Sequence, residues 1–149
     1  MSDLLTQDEY EAIARDLTLP TTAFVNGRFS AAKGGKTFET VNPATGATIA
    51  EIAACEAEDV DLAVTKAREA FEQGVWSRMH PVERKHALIR LVKLIKRNRY
   101  ELAVMESVES GKPIHDCATI DLPETQHCLE WHAEATDKLY DQVTPSGDD

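Results

Sequence analysis

The spacing of apolar residues changes once along this chain, just after Cys55. Before that point apolar residues come in short runs broken by turn formers. After it they recur every three or four positions. Such a switch keeps antiparallel strands before it and sets a helical region after it. In the first part, Ala23-Phe24-Val25-Asn26-Gly27-Arg28-Phe29 sets Asn-Gly between apolar residues. Both turn residues tolerate positive φ, so the segment predicts a tight hairpin. Thr37 to Val41 and Thr48 to Ile52 flank Pro43-Ala44-Thr45-Gly46 and predict a second strand pair. Together these form a small antiparallel β-meander. Ahead of it, Thr6-Gln7-Asp8-Glu9 has the form of a capping box, with a helix running to about Leu17 and ending before Pro20. Residues 1–20 read as a helical arm and 21–149 as one further unit.

Three helices are expected after the switch. Asp59, Val60, Ala63, Val64, Ala67, Ala70 and Phe71 follow helical spacing, with acids at the start and Gly74 at the stop. Pro81 suits a helix's first turn, and the pattern predicts one long helix from there to Ser110, closed by Gly111 and Pro113. Leu88, Leu91, Val92, Ile95 and Leu102 make its stripe, and Leu94, Met105 and Val108 widen it. A stripe that broad predicts packing on two sides. A last helix is expected from about Thr119 to Tyr140, followed by a polar, turn-like stretch from Thr144 to Asp149.

Composition narrows the function. The charged fraction is 28% and the hydrophobic fraction 42%, the balance of a chain with a packed core. The net charge of −10 disfavours phosphate backbones and anionic lipid, so neither nucleic acid nor membrane is an expected partner. No apolar run approaches the ~18 residues that span a bilayer. The start, Met1-Ser2-Asp3-Leu4-Leu5, lacks the basic opening of a signal peptide, so the cytoplasm is the expected location. Cys55, Cys117 and Cys128 are an odd number without framework spacing and are expected to be reduced thiols.

The segments Phe24-Val25-Asn26-Gly27, Val41-Asn42-Pro43-Ala44-Thr45-Gly46, Glu58-Asp59-Val60-Asp61, Trp76-Ser77-Arg78-Met79, Pro81-Val82-Glu83-Arg84 and Gly111-Lys112-Pro113 resemble, in order and spacing, the N-terminal segment of the aldehyde dehydrogenase superfamily. The resemblance covers about residues 22 to 144. Asp121-Leu122-Pro123 and the stretch from Trp131 to Tyr140 look most like the enzymes that oxidise γ-glutamyl-aminobutyraldehyde and related amino aldehydes. The family fold is α/β. The resemblance makes this chain an α+β N-terminal part of the cofactor-binding domain, without the complete Rossmann-like sheet.

Family members transfer a hydride to NAD or NADP from an adduct on a cysteine thiolate, with a glutamate as general base. Neither group has a match here. None of the three cysteines matches the nucleophile, and no glycine-rich phosphate turn is present. No catalytic or cofactor-binding residue is therefore expected, and the chain alone is expected to be inactive. Two sites do carry over. The resemblance implies a monovalent-cation site, for Na⁺ or K⁺, built from the carbonyls of Thr40 and Val41 and the carboxylate of Glu109. The family usually has aspartate where Glu109 stands. It also implies acidic groups at the substrate entrance, Asp121 and Glu124, which would draw a cationic ω-amino aldehyde. An acid pair favoured by the helix dipole is the plainer account of both residues.

Other groupings carry less. His115, Cys117, His127, Cys128 and His132 form a loose His/Cys group, and Cys128 with His132 has i, i+4 zinc-chelating spacing, but no CxxC or HExxH is present. Arg84, Lys85, Arg90, Lys93, Lys96, Arg97 and Arg99 form a basic tract without aromatic stacking partners, which reads as a solvated or salt-bridged face. Two function classes follow. One is the N-terminal part of an NAD(P)-dependent aldehyde dehydrogenase that forms a homo-oligomer and takes an aldehyde substrate at full length. The other is a free-standing interaction module that self-associates through the 81–110 helix.

Overall fold

A computed structural model describes residues 4–140 of the chain. The turn-like stretch expected at 144–149 lies outside the described residues, as do the first three residues. Helix α1 (Gln7–Asp16) begins with the expected capping box. The Thr6 backbone N–H donates to the Glu9 carboxylate at 2.8 Å, and the Glu9 N–H donates to the Thr6 hydroxyl at 3.4 Å. Strands β1 (Ala23–Val25) and β2 (Arg28–Ser30) pair antiparallel with Phe24 opposite Phe29. Asn26 and Gly27 take φ of 52° and 78°, the conformation a two-residue hairpin turn requires.

Strands β3 (Thr37–Val41) and β4 (Thr48–Ala53) pair with Phe38 opposite Ile52. Their register slips by one residue between Thr40 and Val41, which leaves Ile49 as the extra residue of a bulge. The four strands thus form two two-stranded sheets. Two further hydrogen bonds tie β4 to its surroundings, from Ala53 N–H to Thr21 O at 2.8 Å and from Ala54 N–H to Lys36 O at 2.9 Å.

Helix α2 (Ala57–Gln73) is started by its own acids. The Asp59 carboxylate accepts from Glu56 N–H at 3.0 Å and from Lys33 N–H at 2.9 Å. One side chain therefore caps the helix and holds the loop ahead of β3. The same two backbone donors, Glu56 first, keep its carboxyl below the usual range. No residue of α2 is buried, and Val60, Val64 and Phe71 on its apolar stripe are 54%, 63% and 61% exposed.

The single helix expected over 81–110 is two. Helix α3 (Pro81–Arg97) and helix α4 (Arg99–Ser110) meet at Asn98, which has φ −101° and ψ 19°. The Asn98 side-chain amide donates to Leu94 O at 2.9 Å, so a side-chain bond competes with the backbone ladder and breaks it. The break gives the two halves different neighbours. Helix α3 packs on α6, while α4 packs on α1 and on the turn after Cys117. The two-sided packing expected of the wide stripe is met in this divided form.

The last helix starts earlier and stops sooner than expected. A single turn, α5 (Ile114–Asp116), runs into one π-helical turn (Cys117–Asp121) and then α6 (Leu122–Ala135). Pro123 explains the wide turn. In a regular helix its ring would crowd the carbonyl four residues back, and its missing N–H would leave that carbonyl without a donor. The core lies here: Ala103, Cys117 and Leu122 are buried together, with Ile95, Leu102, Ile114 and Ala118 packed around them. Val92, Val104 and Ala133 are buried as well.

Candidate functional site

Helix α4 ends as the sequence predicts, at a glycine. Gly111 has φ 75° and its N–H donates to Ser107 O at 3.0 Å. It is also a point of close approach. A Cβ at this position would lie 2.7 Å from Pro43 Cγ. The β3–β4 turn therefore rests on the end of α4. Thr40, at the end of β3, is half-buried and Val41 is 48% exposed, and Glu109 stands two residues before Gly111 on α4. The bulge interrupts the regular ladder at Thr40 and Val41, so backbone there is not committed to even pairing. Glu109 is exposed. Two carbonyls and a carboxylate are hard oxygen donors, the kind that suits Na⁺ or K⁺ rather than a soft metal.

Past Gly111 the chain is held by Ser107, whose hydroxyl donates to Lys112 O at 2.7 Å. Lys112 then reaches the π turn, where its ammonium lies 2.5 Å from Asp121 Oδ2. Glu106, Cys117 and Asp121 bring their donor atoms within 4.8 Å of one another beside it. Burial, then the charge of Asp121, raises the Glu106 carboxyl above its usual range, and Lys112 offsets part of this. Burial, then Glu106, raises the Cys117 thiol too, so it is an inert packing group rather than a thiolate. The bond to Asp121 raises Lys112. The ammonium already supplies the positive charge a metal would bring. This cluster is an ion-pair network that ties the end of α4 to the π turn.

Asp121 and Glu124 thus differ. Asp121 is half-buried and charge-compensated by Lys112, whereas Glu124 is exposed in the first turn of α6. Sequence reasoning quoted Gly111-Lys112-Pro113 without giving Lys112 a role, and it missed Glu106. Lys112 precedes Asp121 by nine residues and Glu106 by fifteen, across the break at Gly111, so no single helical spacing links them.

The loose His/Cys group does not assemble. Cys128 Sγ lies 3.6 Å from His132 Nδ1, but that nitrogen is 2.8 Å from Cys128 O and is engaged by the helix backbone. His115 pairs locally with Asp116 and Thr119. Among the described residues, Glu106, Cys117 and Asp121 are the metal-ligand grouping that the fold gathers. The basic tract is partly salt-bridged: Lys85 meets Glu134 at 2.7 Å and Asp137 at 3.4 Å, clasping α3 to α6. No helix among the described residues is long and apolar enough to cross a membrane.

A dinucleotide would find a poor seat here. The start of α2, which lies beside Gly34, is filled by the Glu56 and Asp59 carboxylates, and these oppose a pyrophosphate. The sheets are antiparallel pairs rather than a parallel, crossover-connected sheet.

Comparison with known proteins supplies the wider frame. The aldehyde dehydrogenase family model matches residues 29–149. The chain is 54% identical to aminoacetaldehyde dehydrogenase of Pseudomonas aeruginosa over 99% of its own length and 30% of that protein's. Its fold superposes on the γ-glutamyl-γ-aminobutyraldehyde dehydrogenase of Burkholderia cenocepacia with a TM-score of 0.93 at 39% identity, covering 96% of this chain and 29% of that one. Indole-3-acetaldehyde dehydrogenase of P. syringae, solved with NAD⁺ and IAA, gives a TM-score of 0.92 at 40% identity, with 96% and 29% covered. The chain spans about 30% of the length of the P. aeruginosa relative. The chain therefore belongs to the aldehyde dehydrogenase family, of which it forms an N-terminal part.

Proposed function

We propose that this chain is the N-terminal part of an NAD(P)-dependent aldehyde dehydrogenase that oxidises ω-amino or γ-glutamylamino aldehydes to carboxylic acids. The observation that carries the reading is the 54% identity to a relative named for aminoacetaldehyde, held over 99% of this chain. An exposed acid at Glu124, one turn from Asp121, supports a cationic substrate. Thr40, Val41 and Glu109 are assigned to a monovalent cation, which would brace the end of β3 against the end of α4 without entering the chemistry. The enzyme assembles as a homo-oligomer in the cytoplasm.

Taken alone, the 149-residue chain turns over no aldehyde. Cys117 is buried with its thiol pushed up, Cys55 is exposed, and the His132 Nδ1 beside the exposed Cys128 is engaged by the Cys128 carbonyl. The test is an NAD⁺- and NADP⁺-linked aldehyde assay on the chain, beside the protein at its relatives' length. Turnover by the 149-residue chain contradicts this account. In the longer protein, Asp121→Ala with Glu124→Gln should raise KM for a cationic aldehyde more than for a neutral one, and equal effects count against the substrate class.

A second reading has its own observation. Leu91 and Leu94 on α3 are 43% and 46% exposed. In that reading the chain acts as an interaction module that self-associates through its 81–110 face. Sedimentation of the chain across a concentration series tests it, and a monomer throughout rejects it.

A further inference from the structure

The two acids assigned to the substrate entrance are not equivalent in this fold. Asp121 closes the π turn, and Glu124 stands in the first turn of α6. The Lys112 ammonium lies 2.5 Å from Asp121 Oδ2. The Glu124 carboxylate makes no ion pair or hydrogen bond among the described residues. What separates the two acids is a resident cation, not their exposure.

Lys112 is braced for this contact. Gly111 turns the chain in the left-handed region at φ 75°, and the Ser107 hydroxyl donates to Lys112 O at 2.7 Å. Pro113 follows and limits the backbone further. The ammonium therefore reaches Asp121 from a fixed segment. A cationic aldehyde approaching Asp121 would have to displace this tethered ammonium, whose effective concentration is on the order of millimolar or more. At a distance, the charges of Lys112 and Asp121 largely cancel. Burial, then Asp121, favours the neutral form of Glu106, the remaining acid of the cluster. The charge of Glu124 has no such compensation among the described residues.

We infer that Lys112 takes Asp121 out of the substrate's reach and leaves the attraction of a cationic ω-amino aldehyde to Glu124 alone. Asp121 is then a positioning residue. It ties the π turn to the segment after α4 and so sets where the first turn of α6 stands. This inference rests on the substrate class proposed above and names which of the two acids meets the substrate.

The experiment is steady-state kinetics of the protein at its relatives' length, with an ω-amino aldehyde and an uncharged aldehyde of the same chain length. The readout is KM for the cation divided by KM for the neutral compound. Glu124→Gln should raise this ratio about threefold or more at about 50 mM salt, with kcat unchanged. The double substitution Lys112→Met, Asp121→Asn removes a charge-neutral pair. It should lower the melting temperature while the ratio holds. Lys112→Met alone frees the Asp121 charge and should lower the ratio, a sign that a merely structural role would not give. Lys112→Arg keeps the pair and should leave the ratio unchanged. If Lys112→Met does not fold, Lys112→Gln replaces it. A rise in the ratio with the double substitution as large as that with Glu124→Gln overturns the inference and leaves the substrate class standing. A ratio that does not respond to Lys112→Met overturns it as well. A ratio unmoved by every one of these substitutions overturns the substrate class and the inference together.

Discussion

Replacing Gly111 by Ala tests the contact that seats the β3–β4 turn on the end of α4. Two costs add. The first is local: φ of 75° is the left-handed region, where a Cβ costs about 1–2 kcal/mol. The second is steric: the new Cβ would sit 2.7 Å from Pro43 Cγ, so the β3–β4 turn must shift. Forcing an extra methyl into a packed contact costs about 1–3 kcal/mol. The expected loss is about 2–5 kcal/mol in urea unfolding, read as a lower midpoint at unchanged slope.

Gly46 is the internal control. It has φ of 70°, but nothing lies within 4 Å of its would-be Cβ, so Gly46→Ala should cost only the local ~1–2 kcal/mol. Pro43→Ala removes the ring that the Gly111→Ala methyl would meet. A double-mutant cycle between positions 43 and 111 should therefore return part of the steric loss as coupling energy, on the order of 1 kcal/mol. Equal costs for Gly111→Ala and Gly46→Ala, with no coupling to position 43, would refute the close approach.

Val92→Ala deletes buried methyl groups from α3 and should cost about 2 kcal/mol in the same unfolding assay; a change below about 0.5 kcal/mol would show that Val92 is not packed. Thr6→Ala removes the hydroxyl of the α1 capping box and should cost about 1 kcal/mol, seen first as faster amide exchange in α1, whereas unchanged exchange would deny the cap a role. Glu106 holds its proton more tightly folded than unfolded, so its contribution is fully present below its ordinary value of 4.5 and is lost as pH rises through the raised folded value. Glu106→Gln should therefore flatten stability against pH above 4.5, and a parallel curve would refute the shift. Lys112→Met leaves Asp121 and Glu106 facing each other without their cation and should lower the melting temperature more at pH 7 than at pH 4, since protonation removes the repulsion; equal losses would contradict it.

What could be read from the sequence was local. The capping box at Thr6 and Glu9, the turn at Asn26-Gly27 and the stop at Gly111 each depend on a few adjacent residues, and each stands where the pattern put it. The break at Asn98 escaped because the apolar stripe runs through it unchanged; only the asparagine amide's bond to Leu94 O marks the interruption. The π turn over Cys117–Asp121 leaves no mark in the apolar spacing; only Pro123, just past it, signals a departure from the regular ladder. At the site, the residue types Thr40, Val41, Glu109, Asp121 and Glu124 came from family likeness. The pairing of Asp121 with Lys112 and Glu106 could come only from the fold, since it joins two segments whose separation no periodicity encodes.

Asn98 also decides how a disturbance spreads. An unbroken rod would carry a tilt at one end to the other, and a push on α6 would reach α1. With the ladder interrupted, the two halves are joined less by the backbone than by the core they share, where Ile95 of α3 and Ala103 of α4 pack with Leu122 of α6. Damage to the α3–α6 clasp formed by Lys85 with Glu134 and Asp137 should then reach α4 through those side chains rather than along the helix axis.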